Sequence, residues 1–314
     1  MSVSTEAGGP AVPAGRSPRR HRESLAGWLL SAPALVILIA LTLGPALYLV
    51  YSSFFRFTLL GSTHTWVGLD NYRNVVSDGA TRHDYLITLL FVALVVSIEL
   101  VAGMLLAIPL AARTLGNSLA STLMILPFAI TPVVSGLIWR QLLDPNFGWI
   151  DFYAQKAGLM GAPVQWLSQS RTSWAAIVAL DVWQWTPFVA LILMAGLQGV
   201  PREPLEAASV DGASAWASFW HVTLPLLRPF IAIAVLLRTV EAFKTFATIK
   251  VLTDGGPGNS TEIINLSIYR VALENFSIGA AAAVGVVFLM ILAVIVPLVI
   301  RFVLGGGDIV GELT

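Results

Sequence analysis

The chain has 314 residues, 56% of them hydrophobic and 11% charged, with a mean hydropathy of +0.80 and a formal net charge of zero. Soluble domains carry about 25% charged residues, so this composition points to an integral membrane protein, and the neutral balance gives no reason to expect a nucleic-acid partner. The absence of cysteine excludes disulfides, thiolate metal sites and a cysteine nucleophile.

Residues 1–24 are rich in Pro, Gly, Ser and Arg, with Arg16, Arg19, Arg20 and Arg22 close together. That composition cannot bury a core and reads as a disordered tail. The apolar run from about 25 to 51 outlasts the roughly 7–15 residues of a signal-peptide core, so it reads as an uncleaved first span. A helix needs about 20 apolar residues to cross the hydrocarbon layer. Six segments qualify, near 26–51, 85–112, 119–142, 173–199, 226–249 and 276–303. The fold class is therefore all-α and membrane-embedded. Its parts are a tail (1–24), a first span with an outer loop (25–84), a core (85–303) and a second tail (304–314). An even number of spans puts both termini on one side. The arginine-rich tail places that side in the cytoplasm, although Lys and Arg elsewhere, Arg113 among them, are spread over both sides.

Pro33, Pro45, Pro109, Pro127, Pro132 and Pro187 fall inside spans. Each removes a backbone donor and crowds the preceding turn, which suits kinked helices round a cavity. The plainer alternative is that proline is simply common in membrane helices. Span two carries Glu99, for which a structural partner is expected. In span four, Asp181, Gln184, Trp185 and Phe188 stand at i, i+3, i+4 and i+7, one helical face.

The stretch 201–225, between spans four and five, is neither apolar enough to span nor polar enough for a loose loop. Pro204 suits a first helical turn, Glu206, Ala207 and Ala208 favour helix, and Gly212 can end it in left-handed geometry. Ser214 can cap a second short helix, on which Trp216, Phe219 and Trp220 share a face. Pro225 marks a turn into span five. Three exposed rings need a partner: lipid headgroups, the chain's own helices or another protein. An interfacial amphipathic helix is the alternative, but it would carry more Lys and Arg. In span five, Arg238, Glu241, Ala242 and Thr245 share a face. Arg238 with Glu241, or Glu241 with Lys244, can neutralise each other at i, i+3. The segment 252–261, "LTDGGPGNST", is a turn-rich outer loop.

The pattern Glu206-Ala207-Ala208, Asp211-Gly212-Ala213, Leu224-Pro225 resembles the EAA loop of bacterial ABC importer permeases. The segments "LPFAITPVVSGLIWRQLLDPNFG", "DVWQWTPF" and "VLTDGGPGNST" resemble its carbohydrate, maltose-type branch. Pro204 departs from the acidic residue usual there. The resemblance implies six transmembrane helices of the type I importer fold. It makes 201–225 a cytoplasmic coupling helix docking on a separate ATPase, with Glu206, Ala207, Ala208, Asp211, Gly212, Ala213, Trp216, Phe219, Leu224 and Pro225 as coupling residues. It implies a substrate pathway lined by Asp181, Gln184, Trp185, Phe188, Arg238, Glu241, Ala242 and Thr245. Rings beside polar groups suit the apolar C–H face and hydroxyls of a sugar or polyol. The implied partners are a related but distinct second permease subunit, two cytoplasmic ATPase subunits and an extracytoplasmic substrate-binding protein that docks near the outer loop. The implied location is the bacterial cell membrane.

Lys156, Lys244 and Lys250 are the lysines, and none follows a glycine, so the phosphate-binding motif G-x-x-x-x-G-K-[ST] is missing. No cofactor is expected on this chain; ATP and magnesium belong to the ATPase. An ion-coupled secondary transporter is the alternative that the intramembrane charges permit, but it leaves the loop at 201–225 unexplained. An intramembrane enzyme is disfavoured: His21, His64, His83 and His221 all fall outside the spans and no HExxH occurs.

Overall fold

The computed structural model describes residues 19–58, 61, 64–112 and 114–303. The tails at 1–18 and 304–314, and Arg113, lie outside the described residues. The chain divides into two compact units, residues 1–51 and 52–314. The first contains most of helix α1 (Arg19–Ser53), whose stretch Leu30–Ser53 is long and apolar enough to cross a membrane. The helix begins at Arg19, so the end of the segment read as a disordered tail is helical: nothing between Arg19 and Pro33 breaks the backbone ladder.

The second unit opens with a feature an all-α reading does not anticipate. Strands β1 (Phe55–Arg56) and β2 (Thr65–Trp66) pair antiparallel. Trp66 staples them, stacked on Phe54 at 5.5 Å and edge-on to Phe55 at 5.1 Å. Helix α2 (Asp70–Ser77) follows, and Asn71 donates to the carbonyls of Ser53 and Phe55 at 2.8 and 3.0 Å. Helix α3 (Gly79–Leu110) starts before the predicted second span, because Asp78 caps it and accepts from the Thr81 amide at 2.8 Å and the Thr81 hydroxyl at 2.6 Å.

The third predicted span is broken. Helices α4 (Leu115–Ala129) and α5 (Pro132–Leu142) meet at a bend of 92°. Ile130 and Thr131 are both extended, with ψ of 134° and 144°, the conformation that Pro132 imposes on its predecessor. Helix α6 (Trp149–Lys156) is a short connecting helix, and α7 (Ser170–Gly199) is the fourth span.

After α8 (Arg202–Val210) and α9 (Ala215–Ser218) the chain does not turn at Pro225. It passes through one π-helical turn, Phe219–Thr223, directly into α10 (Leu224–Phe243), so that Ala215–Phe243 is one rod. The Leu224 amide bonds the Phe219 carbonyl five residues back. This wider turn sits just before Pro225, whose ring crowds the carbonyl four residues behind it. Span five also ends early: Lys244–Phe246 interrupt the helix before α11 (Ala247–Leu252), so Thr245 is not on the α10 face. Helix α12 (Ile264–Tyr269) leads through a second π turn (Arg270–Glu274) to α13 (Ile278–Val303). Five helices among the described residues are long and apolar enough to cross a membrane, six if the bent α4–α5 pair is one span.

The main core joins α3, α7, α10, α11 and α12 through Phe91, Val95, Ile177, Leu180, Phe243 and Ile249, among others. Helices α3 and α7 touch at backbone distance. A Cβ on Gly103 would lie 2.8 Å from Val189 Cγ1 and 3.1 Å from the Ala190 nitrogen. Gly103→Leu is therefore expected to destabilise the protein by about 1–3 kcal/mol, the usual overpacking cost. A lowered melting temperature of the purified protein in detergent checks this; an unchanged one refutes the close contact.

Candidate functional site

Two clusters stand out. The first is the elbow between α8 and α9. Gly212 has φ +79°, its amide bonds the Ser209 carbonyl at 3.1 Å, and the Ala213 amide bonds the Ala208 carbonyl at 2.9 Å. This paired pattern closes a helix on a left-handed glycine. Ser214 Oγ then accepts from the Ala217 amide at 3.2 Å and opens α9. Glu206, Ala207, Asp211 and Gly212 are exposed, and Ala208, Ala213, Leu224 and Pro225 are half-buried. Val210, which no sequence pattern marks, is 86% exposed at the tip.

The predicted ring face forms. Trp216 and Trp220 lie 5.5 Å apart and Phe219 and Trp220 5.8 Å apart, centroid to centroid. The rings line an apolar groove of about 890 Å³ whose other walls include Leu100, Met104 and Leu105 of α3 and Leu205 of α8. They thus share a groove with the chain's own helices, although Trp216 stays 71% exposed, and none of Glu206, Val210 or Gly212 lines it.

The second cluster is buried. Arg238 of α10 is wholly enclosed. Its Nε donates to Glu99 Oε2 and its Nη2 to Glu99 Oε1 at 3.0 Å, and Nη2 also donates to Asp181 Oδ2. Glu99 has the structural partner expected of it. The local i, i+3 pairing of Arg238 with Glu241 does not occur; Glu241 instead pairs with exposed Lys244 at 2.7 Å. Three helices, α3, α7 and α10, meet at this one guanidinium. The indole of Trp185 lies against it, 4.8 Å from Cζ to the ring centroid. Among the described residues, Arg238 Nη1 has no hydrogen-bond partner.

The predicted face of α7 divides in two. Asp181 and Gln184 are buried, the first by Arg238, the second by the helix break, where Gln184 Nε2 donates to the Ile130 carbonyl at 2.7 Å. Trp185 and Phe188 remain partly exposed and form a ring trio with Phe128, at 5.4 Å from Trp185 and 5.2 Å from Phe188. Phe128 was not identifiable from α7 periodicity because it arrives from α4. Ala242 is buried beside Arg238 on α10, and Thr245 sits in the break.

The turn-rich loop 252–261 is tied from within. Arg270 Nη2 donates to the Asp254 carbonyl at 2.6 Å, and Nη1 donates to Glu262. Burial lifts the Glu262 carboxyl above its ordinary pKa, and Arg270 opposes the rise. Thr261 Oγ1 donates to the Gly256 carbonyl at 2.8 Å, and Trp174 Nε1 to that of Ser260 at 2.9 Å.

Residues 99–304 match the family model described as binding-protein-dependent transport system inner membrane component. The chain is 32% identical over 275 residues to the trehalose/maltose transport system permease protein MalF of Thermococcus litoralis, covering 87% of this chain and 92% of the relative. It is 33% identical over 287 residues to the trehalose transport system permease protein SugA of Mycobacterium tuberculosis, covering 91% of each. It is 31% identical over 277 residues to the sn-glycerol-3-phosphate transport system permease protein UgpA of Agrobacterium fabrum, covering 88% and 94%. A solved bacterial ABC transporter involved in the import of the acidic polysaccharide alginate matches in fold. Its TM-score is 0.77 at 22% identity, over 91% of this chain and 98% of that one.

Removing one member of a buried ion cluster leaves the others unpaired, at a cost of about 3–5 kcal/mol. Arg238→Met is expected to abolish accumulation of folded protein. Adding Glu99→Gln and Asp181→Asn to Arg238→Met is expected to restore most of it, measured as monodisperse protein on size-exclusion chromatography. A stable single Arg238→Met variant would refute the cluster as a structural tie.

Proposed function

We propose, from the premise that this chain belongs to the binding-protein-dependent transport system inner membrane component family, that it imports a sugar or polyol by coupling its elbow to a separate ATPase. The chain is a multi-pass ABC importer permease subunit and has the fold of such permeases. The ion-coupled alternative finds no support in these matches.

The observation that carries the coupling is the elbow itself. Glu206, Ala207, Val210, Asp211 and Gly212 form an exposed tip on a chain without a phosphate-binding loop. Small residues at such a tip admit close approach, and Val210 gives a partner something to bury. One of two cytoplasmic ATPase subunits, which hold ATP and magnesium, docks at this tip, and the other serves the second permease subunit. A related second permease subunit completes the pathway. An extracytoplasmic binding protein delivers the solute, as the family description implies. Both termini then lie in the cytoplasm of a bacterial cell. The solute class rests on the relatives' names, which speak of trehalose, maltose and sn-glycerol 3-phosphate. Rings that stack on a pyranose face are available at Phe128, Trp185 and Phe188.

In the mechanism, ATP binding by the paired ATPases displaces the elbow, and alternating access follows from the tilt of the rod that begins at Ala215. Half-buried Glu241 and exposed Lys244, paired with each other, are the polar groups where α10 meets the α10–α11 break and can exchange each other for a solute hydroxyl.

Among the described residues, and its chain neighbours aside, no atom lies within 4 Å of a Cβ placed on Gly212, so a bulky residue there disturbs the left-handed turn and its partner, not the chain's own packing. Gly212→Trp is expected to insert normally while uptake falls at least about tenfold with ATP hydrolysis retained, a loss of roughly 1.4 kcal/mol of coupling. Normal uptake would remove the elbow from the coupling path. Trp185→Ala is expected to lower the maximal uptake rate of trehalose or maltose without changing solute affinity of the isolated binding protein. Unchanged uptake would take the ring trio out of the pathway.

A further inference from the structure

Two long helices of this chain are broken, and an amide from elsewhere closes each break. At the α4–α5 break the freed Ile130 carbonyl takes the Gln184 amide. At the α10–α11 break both flanking carbonyls, Phe243 and Thr245, accept from the Asn265 carboxamide nitrogen at 2.7 and 3.0 Å. One NH2 group has two protons, and here they serve the two carbonyls that the interruption leaves without helical donors. Asn265 is itself held in place. It belongs to α12, whose first amide, that of Ile264, bonds Thr88 Oγ1 of α3 at 2.9 Å.

Beyond the breaks, the short helices α5 and α11 pack on each other. A Cβ on Gly136 would stand 3.1 Å from Val251 Cγ1 and 3.2 Å from Val251 Cβ, and Arg140 Nη1 donates to the Val251 carbonyl at 3.2 Å. Each short helix is thus fixed twice, by a clamped break behind it and by its twin beside it. Each break lies beside groups of the proposed pathway: Ile130 lies two residues after Phe128 of the ring trio, and Lys244 carries the ion pair with Glu241.

We propose that Asn265 is a positioning residue for transport: with Gln184 it sets the two breaks, so that α5 and α11 keep one mutual arrangement throughout the transport cycle. The proposal rests on the permease reading above. In a membrane helix a freed carbonyl without a donor is costly, so without Asn265 the break closes up or wanders, and Lys244 and Glu241 lose their setting at the pathway. The elbow still moves, but its movement no longer produces a defined opening.

Two measurements on the complete importer in proteoliposomes test this. The first is the number of ATP molecules hydrolysed per solute delivered. Misfolding alone reduces the number of working complexes and leaves that ratio unchanged, whereas a lost positioning group raises it. Asn265→Ala is expected to raise the ratio about fivefold or more, within the usual range of coupling energies. Asn265→Gln, which keeps the amide donor, is expected to lie between Asn265→Ala and the unsubstituted chain. An unchanged ratio in Asn265→Ala overturns the proposal.

The second uses the absence of cysteine from the chain. In the double variant Gly136→Cys/Val251→Cys the two Cβ atoms lie near the roughly 3.5–4.5 Å that a disulfide requires. Oxidation is expected to form the bond and leave uptake unchanged, because the two helices do not move past one another. Uptake that is lost on oxidation and regained on reduction overturns the proposal. Failure of the permease reading shows separately, as absence of uptake by the unsubstituted importer.

Discussion

The constraint on which the rest depends is a guanidinium that cannot reach water. Arg238 sits fully enclosed on a membrane-spanning helix, and a charge at that depth costs at least about 2.5–3.5 kcal/mol even by the mildest scales. It is tolerable only where counter-charges come to it, and they come from two different helices: Glu99 on α3 and Asp181 on α7. Their meeting fixes the rotation of three helices about their own axes. Once α7 is so rotated, Trp185 must lie against the guanidinium, Gln184 must face the α4–α5 break, and Phe188 must fall next to Phe128. The polar interior is therefore a set of directions more than a store of stability. Apolar residues of equal size would often serve stability as well, but would leave the helices free to choose another rotation.

What sequence could read was what lies close in the chain. The elbow is the clearest case. Gly212 as a left-handed stop, Ser214 as a cap and the shared face of Trp216, Phe219 and Trp220 are local facts of backbone and spacing, and all three appear in the structure. The spans were legible because hydrocarbon demands apolar length. The Arg238 pairing was not, because helical arithmetic offers only partners three or four residues away, and the real ones stand 139 and 57 residues off.

The breaks show a subtler limit. Pro127 and Pro132 announce a disturbed helix, but the same residues fit a mild kink, and only the neighbouring Gln184 amide makes a full 92° bend affordable. At Thr245 no proline gives warning; the interruption is sustained by Asn265, which lies 20 residues away and on another helix. Val210 and Phe128 escaped for opposite reasons. Val210 is an ordinary helical residue whose exposure depends on where the elbow ends. Phe128 gains its meaning from rings on a helix that it meets only after folding.

The π turn at Phe219–Thr223 removes the corner that Pro225 would otherwise make, and the chain runs as one rod of 29 residues from Ala215 to Phe243, about 43 Å at 1.5 Å per residue. Arg238 grips that rod near its far end. In the proposed coupling it would serve as a fulcrum, with a long arm toward the elbow and a short arm of one turn and a little more toward the break at Lys244. A lever so divided reduces travel and conserves angle. Under that proposal a wide swing at the elbow would arrive at the break as a small displacement with its tilt intact, the form of motion that turns a pathway wall without tearing the packed core around it.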